Sequence, residues 1–186
     1  MHIHSTSKYQ LGTVNSLVTF ATEEVDTDGV VFNVKNSKRA YAGRAYYGIP
    51  PISPFSRDPQ HKYLVVLRLG DPSHFPIDNM VTRTRWKVIT EDEYYDTQCR
   101  TSKTYKRDGS VVYTRAQTVT HPYGGMTSPF IVLKNWQEGL VYLASHEARH
   151  IHQFKNDLPR SEVDCEKFAH DTLMRYRAET ERSPLL

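Results

Sequence analysis

The stretch NWQEGLVYLASHEARHIHQFK, residues 135–155, decides how this chain is expected to fold. Asn135 is a favourable N-cap and Glu138, three residues later, gives a capping-box pattern, so the sequence predicts a helix from Trp136 to about Lys155. Apolar residues recur on two faces of this segment, which is typical of a mostly buried helix. This helix, called the motif helix below, is therefore expected to form part of the core.

The motif helix contains the pentapeptide His146-Glu147-Ala148-Arg149-His150. Residues at positions i and i+4 of a helix lie one above the other on the same face. His146 and His150 can therefore offer two imidazole nitrogens to one Zn²⁺ ion, with Glu147 beside it as a base. Because composition gives about 0.02 expected chance occurrences of this pattern, the match favours a metal site.

A third ligand is expected from another part of the chain, since catalytic zinc usually has three protein ligands. The best candidate is Glu162, at the start of a second helix for which Ser161 is a suitable N-cap. A short connector, residues 156–160, would fold this helix back against the motif helix. Glu166 lies four residues further on and shares a face with Glu162. Asp164 fits a first-turn capping position better than a ligand position.

The histidine motif and the acidic residues that follow it resemble the gluzincin branch of the zincin metallopeptidases, many of which carry HExxH and then a helix with ExxAD. The matching residues are His146-Glu147-x-x-His150 and Glu162-x-x-Cys165-Glu166. Cys165 stands where that pattern has Ala. Residues 161–169 also look like a helix of small phage- and mobile-element-borne peptidases. The resemblance covers roughly residues 135–176.

By this resemblance the protein is expected to be a zinc metallopeptidase that acts on a protein or peptide substrate. One catalytic zinc ion would be held by His146, His150 and Glu162, and Glu147 would act as general base. Glu166 would hydrogen-bond a ligand histidine. The sequence does not choose the group that stabilises the oxyanion, for which the candidates are His121, Tyr123 and His170. The alternative is a catalytically silent zincin-fold binding protein or phage-associated accessory protein.

Other interpretations of the motif fit less well. Metzincins need Gly and His at positions that Gln153 and Asn156 occupy here. Peptide deformylases use an upstream cysteine, but the surroundings of Cys99 lack that family's EGCLS sequence. A further alternative is a structural pair of buried histidines with local hydrogen bonds, which would be costly beside a buried carboxylate unless every group were paired.

The resemblance implies a zincin-like fold of the α+β class, and the rest of the chain has the helix-then-strands content that such a fold needs. An N-terminal helix and a mostly antiparallel twisted sheet are expected to pack on the motif helix, which a second C-terminal helix follows. The predicted elements are a helix over residues 14–26, strands over 30–34, 63–69, 86–90 and 130–133, a hairpin over 101–119 with a type I′ turn at Asp108-Gly109, and a loop over 48–60. Substrate is expected to add to an edge strand, with 63–69 and 130–133 as candidates.

Composition is that of a globular protein, with 24% charged and 38% hydrophobic residues in a chain of 186. It predicts a single catalytic domain over residues 1–180, with flexible tails at 1–10 and 177–186. The net charge of +3 is too small to favour a nucleic-acid or membrane partner. No signal peptide or transmembrane stretch is recognisable, so a cytoplasmic location is expected. Two cysteines do not make a disulfide framework.

Overall fold

The computed structural model of the protein describes residues 1–37, 41–80, 82–96, 101–120 and 130–182. Over these residues the fold is α+β, with four α-helices and mixed sheets. The chain divides into two compact units, which are a core unit of residues 1–79 and 131–186 and a smaller unit of residues 80–130. The single catalytic domain predicted over residues 1–180 stays a prediction.

The core unit is built on a four-stranded sheet. Its elements in chain order are β1 (His2–Ser5), α1 (Leu11–Ala21), β2 (Val30–Asn36), β3 (Ala42–Tyr46) and β4 (Tyr63–Leu69). The strand order is β1-β2-β4-β3. β2 pairs in parallel with both β1 and β4, and β3 pairs antiparallel with β4. This sheet is therefore mixed, whereas the sheet was expected to be mostly antiparallel. The helix α1 explains the parallel pairing of β1 with β2, because it returns the chain to the same end of the sheet.

The main core lies between one face of this sheet and two helices, α1 and α3 (Trp136–Lys155). Side chains from β2, β4, α1 and α3 form one buried cluster that includes Val18, Phe32, Leu67, Leu140 and Ile151. Alternate residues of β2 and β4 point to the opposite face of the sheet, where Phe55 covers them. Burial on both faces explains why β4 is a continuous apolar run in the sequence.

α3 and α4 (Glu162–Arg182) form an antiparallel helical hairpin. Asp157 adopts a left-handed conformation (φ 50°) in the connector, and Leu158 N–H donates to the Gln153 carbonyl at 2.9 Å. The antiparallel order is visible in three side-chain pairs along the hairpin, which are His150–Glu162, His146–Glu166 and Glu138–Arg177. The two helices predicted from their caps are thus present, with Asn135 Oδ1 accepting from Glu138 N–H and Ser161 Oγ from Asp164 N–H.

Parts of both predicted tails have regular structure. Residues 2–5 form β1, which pairs with β2 in the main sheet. α4 continues to Arg182, and the Arg177 guanidinium donates to Glu138, a carboxylate that is only 4% exposed, and to the Val132 carbonyl. An ion pair with a buried carboxylate ties this part of the helix to the core.

The remaining strands are β5 (Ile77–Met80), β6 (Thr82–Ile89), β7 (Thr101–Tyr105), β8 (Val111–Thr120) and β9 (Phe130–Leu133), with the short helix α2 (Glu91–Asp96) after β6. β6, β8 and β7 form an antiparallel sheet, and β5 pairs with β9. The predicted type I′ turn is wrong, because it needs positive φ at both central residues and here Gly109 has it (φ 81°) but Asp108 does not. None of the described helices combines the length and apolarity that a membrane span needs.

Candidate metal centre

Three side chains from the helical hairpin converge on one point. The Nε2 atoms of His146 and His150 lie 3.2 Å apart, as the one-turn spacing on α3 requires. Glu162 Oε2 lies 3.4 Å from each of them. These three residues could hold a metal ion. A cation at this point would contact all three converging atoms at once.

The position of Glu162 is fixed by the first turn of α4. Arg149 donates to both oxygens of Asp164, at 2.7 and 3.2 Å, and Gln153 donates to Asp164 at 2.8 Å. The Gln153 side chain also exchanges hydrogen bonds with the backbone of Ser161. The buried Gln153 and the bidentate Arg149–Asp164 pair therefore lock the start of α4 against α3, so that Glu162 faces the two histidines.

The electrostatics of the cluster favour a cation. Burial alone lowers the pKa of His146, but the hydrogen bond with Glu162 and the carboxylates of Glu166 and Glu147 outweigh it, and the pKa ends above its ordinary value. In return, hydrogen bonds with His146 and then His150 hold the pKa of Glu162 well below its usual range. Glu162 is therefore a carboxylate anion, which is the form that binds a metal ion.

Glu147 lies beside the cluster in a tight space under β3. Its side chain is buried, and burial raises its pKa, against the opposing charges of His146 and His150 and the hydrogen bond from Ala45 N–H. A Cβ atom on Gly43 would lie 2.6 Å from both Cγ and Oε1 of Glu147, closer than real Cβ contacts allow. Position 43 therefore needs glycine for this carboxylate to occupy its place.

Glu166 lies near His146 on the side away from Glu162. One of its oxygens accepts the hydrogen bond of the Tyr142 hydroxyl. The other oxygen is 3.8 Å from His146 Nδ1, which is an ion-pair distance rather than a hydrogen bond. Among the described residues, this buried Nδ1 atom has no hydrogen-bond partner. Glu166 is thus near His146, but at a longer distance than the hydrogen bond expected between them.

Cys165 contacts the other histidine. Its Sγ atom lies 3.3 Å from His150 Nδ1, and the residue is fully buried. Burial raises the pKa of this thiol far above its ordinary value, so Cys165 is a neutral thiol. Cys165, which stands where the gluzincin pattern has Ala, therefore places a polarisable sulfur atom against His150, a candidate ligand.

The cluster opens into a pocket of about 270 Å³. The pocket is lined by the three candidate ligands, by Glu147, and by residues of β3 and the turn after it. These last residues are Gly43, Arg44, Ala45 and Tyr47. β3 is the last strand of the main sheet and is paired on one side, with β4. The prediction that residues 63–69 could be an edge strand for substrate is wrong, because β4 pairs with β2 on one side and with β3 on the other. Residues 130–133 pair with β5 and do not line this pocket.

The structure does not bring every candidate to the pocket. His170 is on α4 but does not line the pocket, and its Nδ1 atom lies 3.4 Å from Asp171 Oδ1. His121 and Tyr123 lie outside the described residues, as does Cys99.

Sequence reasoning missed the contribution of β3. Ala-Gly-Arg-Ala-Tyr, residues 42–46, lacks the β-branched alternation that identifies a strand, and its pairing with β4 supplies the structure instead. A weak signal was available in Gly43, since a glycine inside a strand often marks the close approach of another group.

Comparison with protein-family models, with curated proteins and with solved structures finds no significant match to this chain.

Proposed function

We propose that the protein is a zinc-dependent metallopeptidase. The observation that carries the proposal is a group of three side chains that could hold a metal ion, with a buried carboxylate, Glu147, beside it under β3. A structural zinc site normally has four protein ligands, whereas three are found here among the described residues. A set of three protein ligands in an open pocket, with a base next to it, suits catalysis instead.

The donor atoms fit zinc by chemistry and by size. Two imidazoles and one carboxylate are a common catalytic zinc set. Zinc bonds of about 2.0–2.1 Å at tetrahedral angles place neighbouring donor atoms about 3.3 Å apart. The observed separations between His146, His150 and Glu162 are 3.2, 3.4 and 3.4 Å. These separations are compatible with a zinc ion held by the three side chains.

The chain's own contribution to the chemistry is base catalysis by Glu147. When bound, zinc supplies a Lewis acid that polarises a carbonyl group and makes water a stronger nucleophile at neutral pH. Glu147 accepts the proton of the attacking water on its carboxylate and transfers it to the leaving amine. Its burial supports this role, because a raised pKa makes the carboxylate a stronger base. The Ala45 N–H keeps the carboxylate oriented while it is ionised.

The edge strand suggests a peptide as substrate. β3 lines the pocket and, among the described strands, pairs on one side only, and an extended peptide can add to such an edge through backbone hydrogen bonds. Tyr47, just beyond β3, is the phenol in the pocket wall, and burial raises its pKa. A phenol that stays protonated is a hydrogen-bond donor, so Tyr47 joins the candidates for stabilising the oxyanion of the cleaved carbonyl.

A metal-removal experiment tests the proposal. Zinc-loaded protein is expected to cleave casein, to lose this activity on dialysis against a chelator, and to regain it with equimolar zinc but not with magnesium. Product peptides are identified by mass spectrometry. Cleavage that persists in metal-free protein would contradict the proposal. Zinc-loaded protein that cleaves neither casein nor a denatured proteome would favour the catalytically silent binding protein.

A further inference from the structure

An arginine of the connector between α3 and α4 lies over two aromatic rings, one of which, Tyr47, lines the pocket. The guanidinium carbon of Arg160 lies 4.5 Å from the ring centroid of Tyr47 and 5.4 Å from that of Phe154. The two rings are themselves stacked, with centroids 4.6 Å apart. Arg160 belongs to the connector between α3 and α4 and precedes Glu162 by two residues. Arg160 is not itself among the described residues that line the pocket, but Tyr47, which it contacts, and Glu162, two residues further on, both line it.

The charge of Arg160 is not neutralised within the described part of the chain. No ion pair of Arg160 occurs there, whereas Arg149 and Arg177 on the two flanking helices pair with Asp164 and Glu138. Arg149 and Arg177 serve to join α3 to α4. Arg160 instead lies in cation–π contact with two aromatic rings.

Stacking on a ring prepares a guanidinium to bind a carboxylate. The flat face of the group contacts the aromatic surface, and the N–H donors remain free around its edge. Those donors match the two oxygens of a carboxylate in a bidentate pair. Because the rings restrict the side chain beforehand, less conformational entropy is lost on binding.

Arg44 lines the pocket but is less suited to this role. Its two neighbours in β3, Gly43 and Ala45, both approach Glu147. Successive residues of a strand point to opposite faces of the sheet. The Arg44 side chain accordingly leaves β3 on the face opposite to Gly43, although the residue lines the pocket, and its guanidinium lies 5.3 Å from the ring of Tyr46.

We propose that Arg160, supported by Tyr47 and Phe154, forms a carboxylate-binding subsite, so that the preferred substrates carry a carboxylate close to the cleaved bond. This inference rests on the proposed peptidase function and adds the substrate class to it. The carboxylate belongs either to an acidic side chain or to the C-terminus of the peptide. Both sources present the same chemistry to the guanidinium.

Three matched peptide hydroxamates, anchored by their hydroxamate on zinc, test the subsite. The first carries Glu next to the hydroxamate and a C-terminal amide, the second Gln and a free C-terminal carboxylate, and the third Gln and an amide. Calorimetric titration into zinc-loaded protein is expected to show the first or the second binding about tenfold tighter than the third, as a charge-assisted hydrogen bond provides. Which of the two is preferred identifies the source of the carboxylate.

Variants assign the preference to one residue. Arg160→Gln is expected to abolish the difference between the probes while zinc content and helicity stay unchanged. Arg182→Gln removes the same charge about 30 Å further along α4 and is expected to retain the preference. Equal affinity for the three probes, failure of all three on zinc-loaded protein, or a preference lost with Arg44→Gln but kept with Arg160→Gln would overturn the subsite. Protein that binds no zinc would instead overturn the proposed function.

Discussion

Glu147→Gln is expected to lower the peptidase rate by about 10³-fold while the protein keeps its zinc, which is within the range for the loss of a positioned general base. Glutamine has nearly the same shape as glutamate, so it fits the space left by Gly43 beneath β3. Its amide cannot accept the proton of water. The ligands His146, His150 and Glu162 are unchanged, and zinc affinity is therefore expected to remain.

Initial rates of peptide cleavage and zinc content, measured on the same samples, check this prediction. The matched control is Glu179→Gln, an identical exchange at an exposed position of α4. This control is expected to behave as the wild type in both measurements. A Glu147→Gln variant that retains full activity would remove Glu147 from the mechanism. A variant that loses zinc together with activity would give Glu147 a structural role in the site.

Gly43→Ala is expected to reduce the peptidase rate by about 10²-fold, the effect of moving a catalytic group by about 1 Å. The new methyl group would meet Cγ and Oε1 of Glu147 at 2.6 Å. The side chain of Glu147 yields more readily than the backbone of β3, so the carboxylate moves and the strand stays. We expect the zinc content to be unchanged, since the displaced group is not a ligand.

Gly48→Ala is the control for this substitution, because a Cβ atom there meets nothing within 4 Å. Its rate, zinc content and thermal unfolding are expected to match the wild type. The prediction for Gly43 fails if both alanine variants are equally active. It fails also if Gly43→Ala loses activity through unfolding, which circular dichroism would reveal.

Local signals predicted the helical hairpin well. The N-caps Asn135 and Ser161 mark the starts of α3 and α4, and Tyr63–Leu69 has the exact bounds predicted for β4. Each of these signals lies within a few residues of the element it specifies, so one sequence is enough to read it. The short connector favoured the convergence of Glu162 on His146 and His150, because helices joined by a short loop often pack as antiparallel neighbours.

The sheet and the pocket wall depended on contacts that are distant in sequence. The parallel pairing of β1 with β2 leaves no local mark, because strand direction is set by the crossover and not by side-chain alternation. β3 is held by β4, which lies about twenty residues further on. Gly43, Ala45 and Tyr47 reach Glu147 and the pocket through that pairing alone, so the site residues of β3 could not be assigned from their own sequence.

The metal content of the purified protein tests the central claim most directly. We expect protein produced in zinc-supplemented medium and purified without chelator to contain one zinc ion per chain by plasma mass spectrometry. Replacing His146 and His150 together with alanine is expected to reduce this value to near zero. Wild-type protein that carries no zinc, or a double variant that carries as much as the wild type, would contradict a zinc site formed by His146, His150 and Glu162.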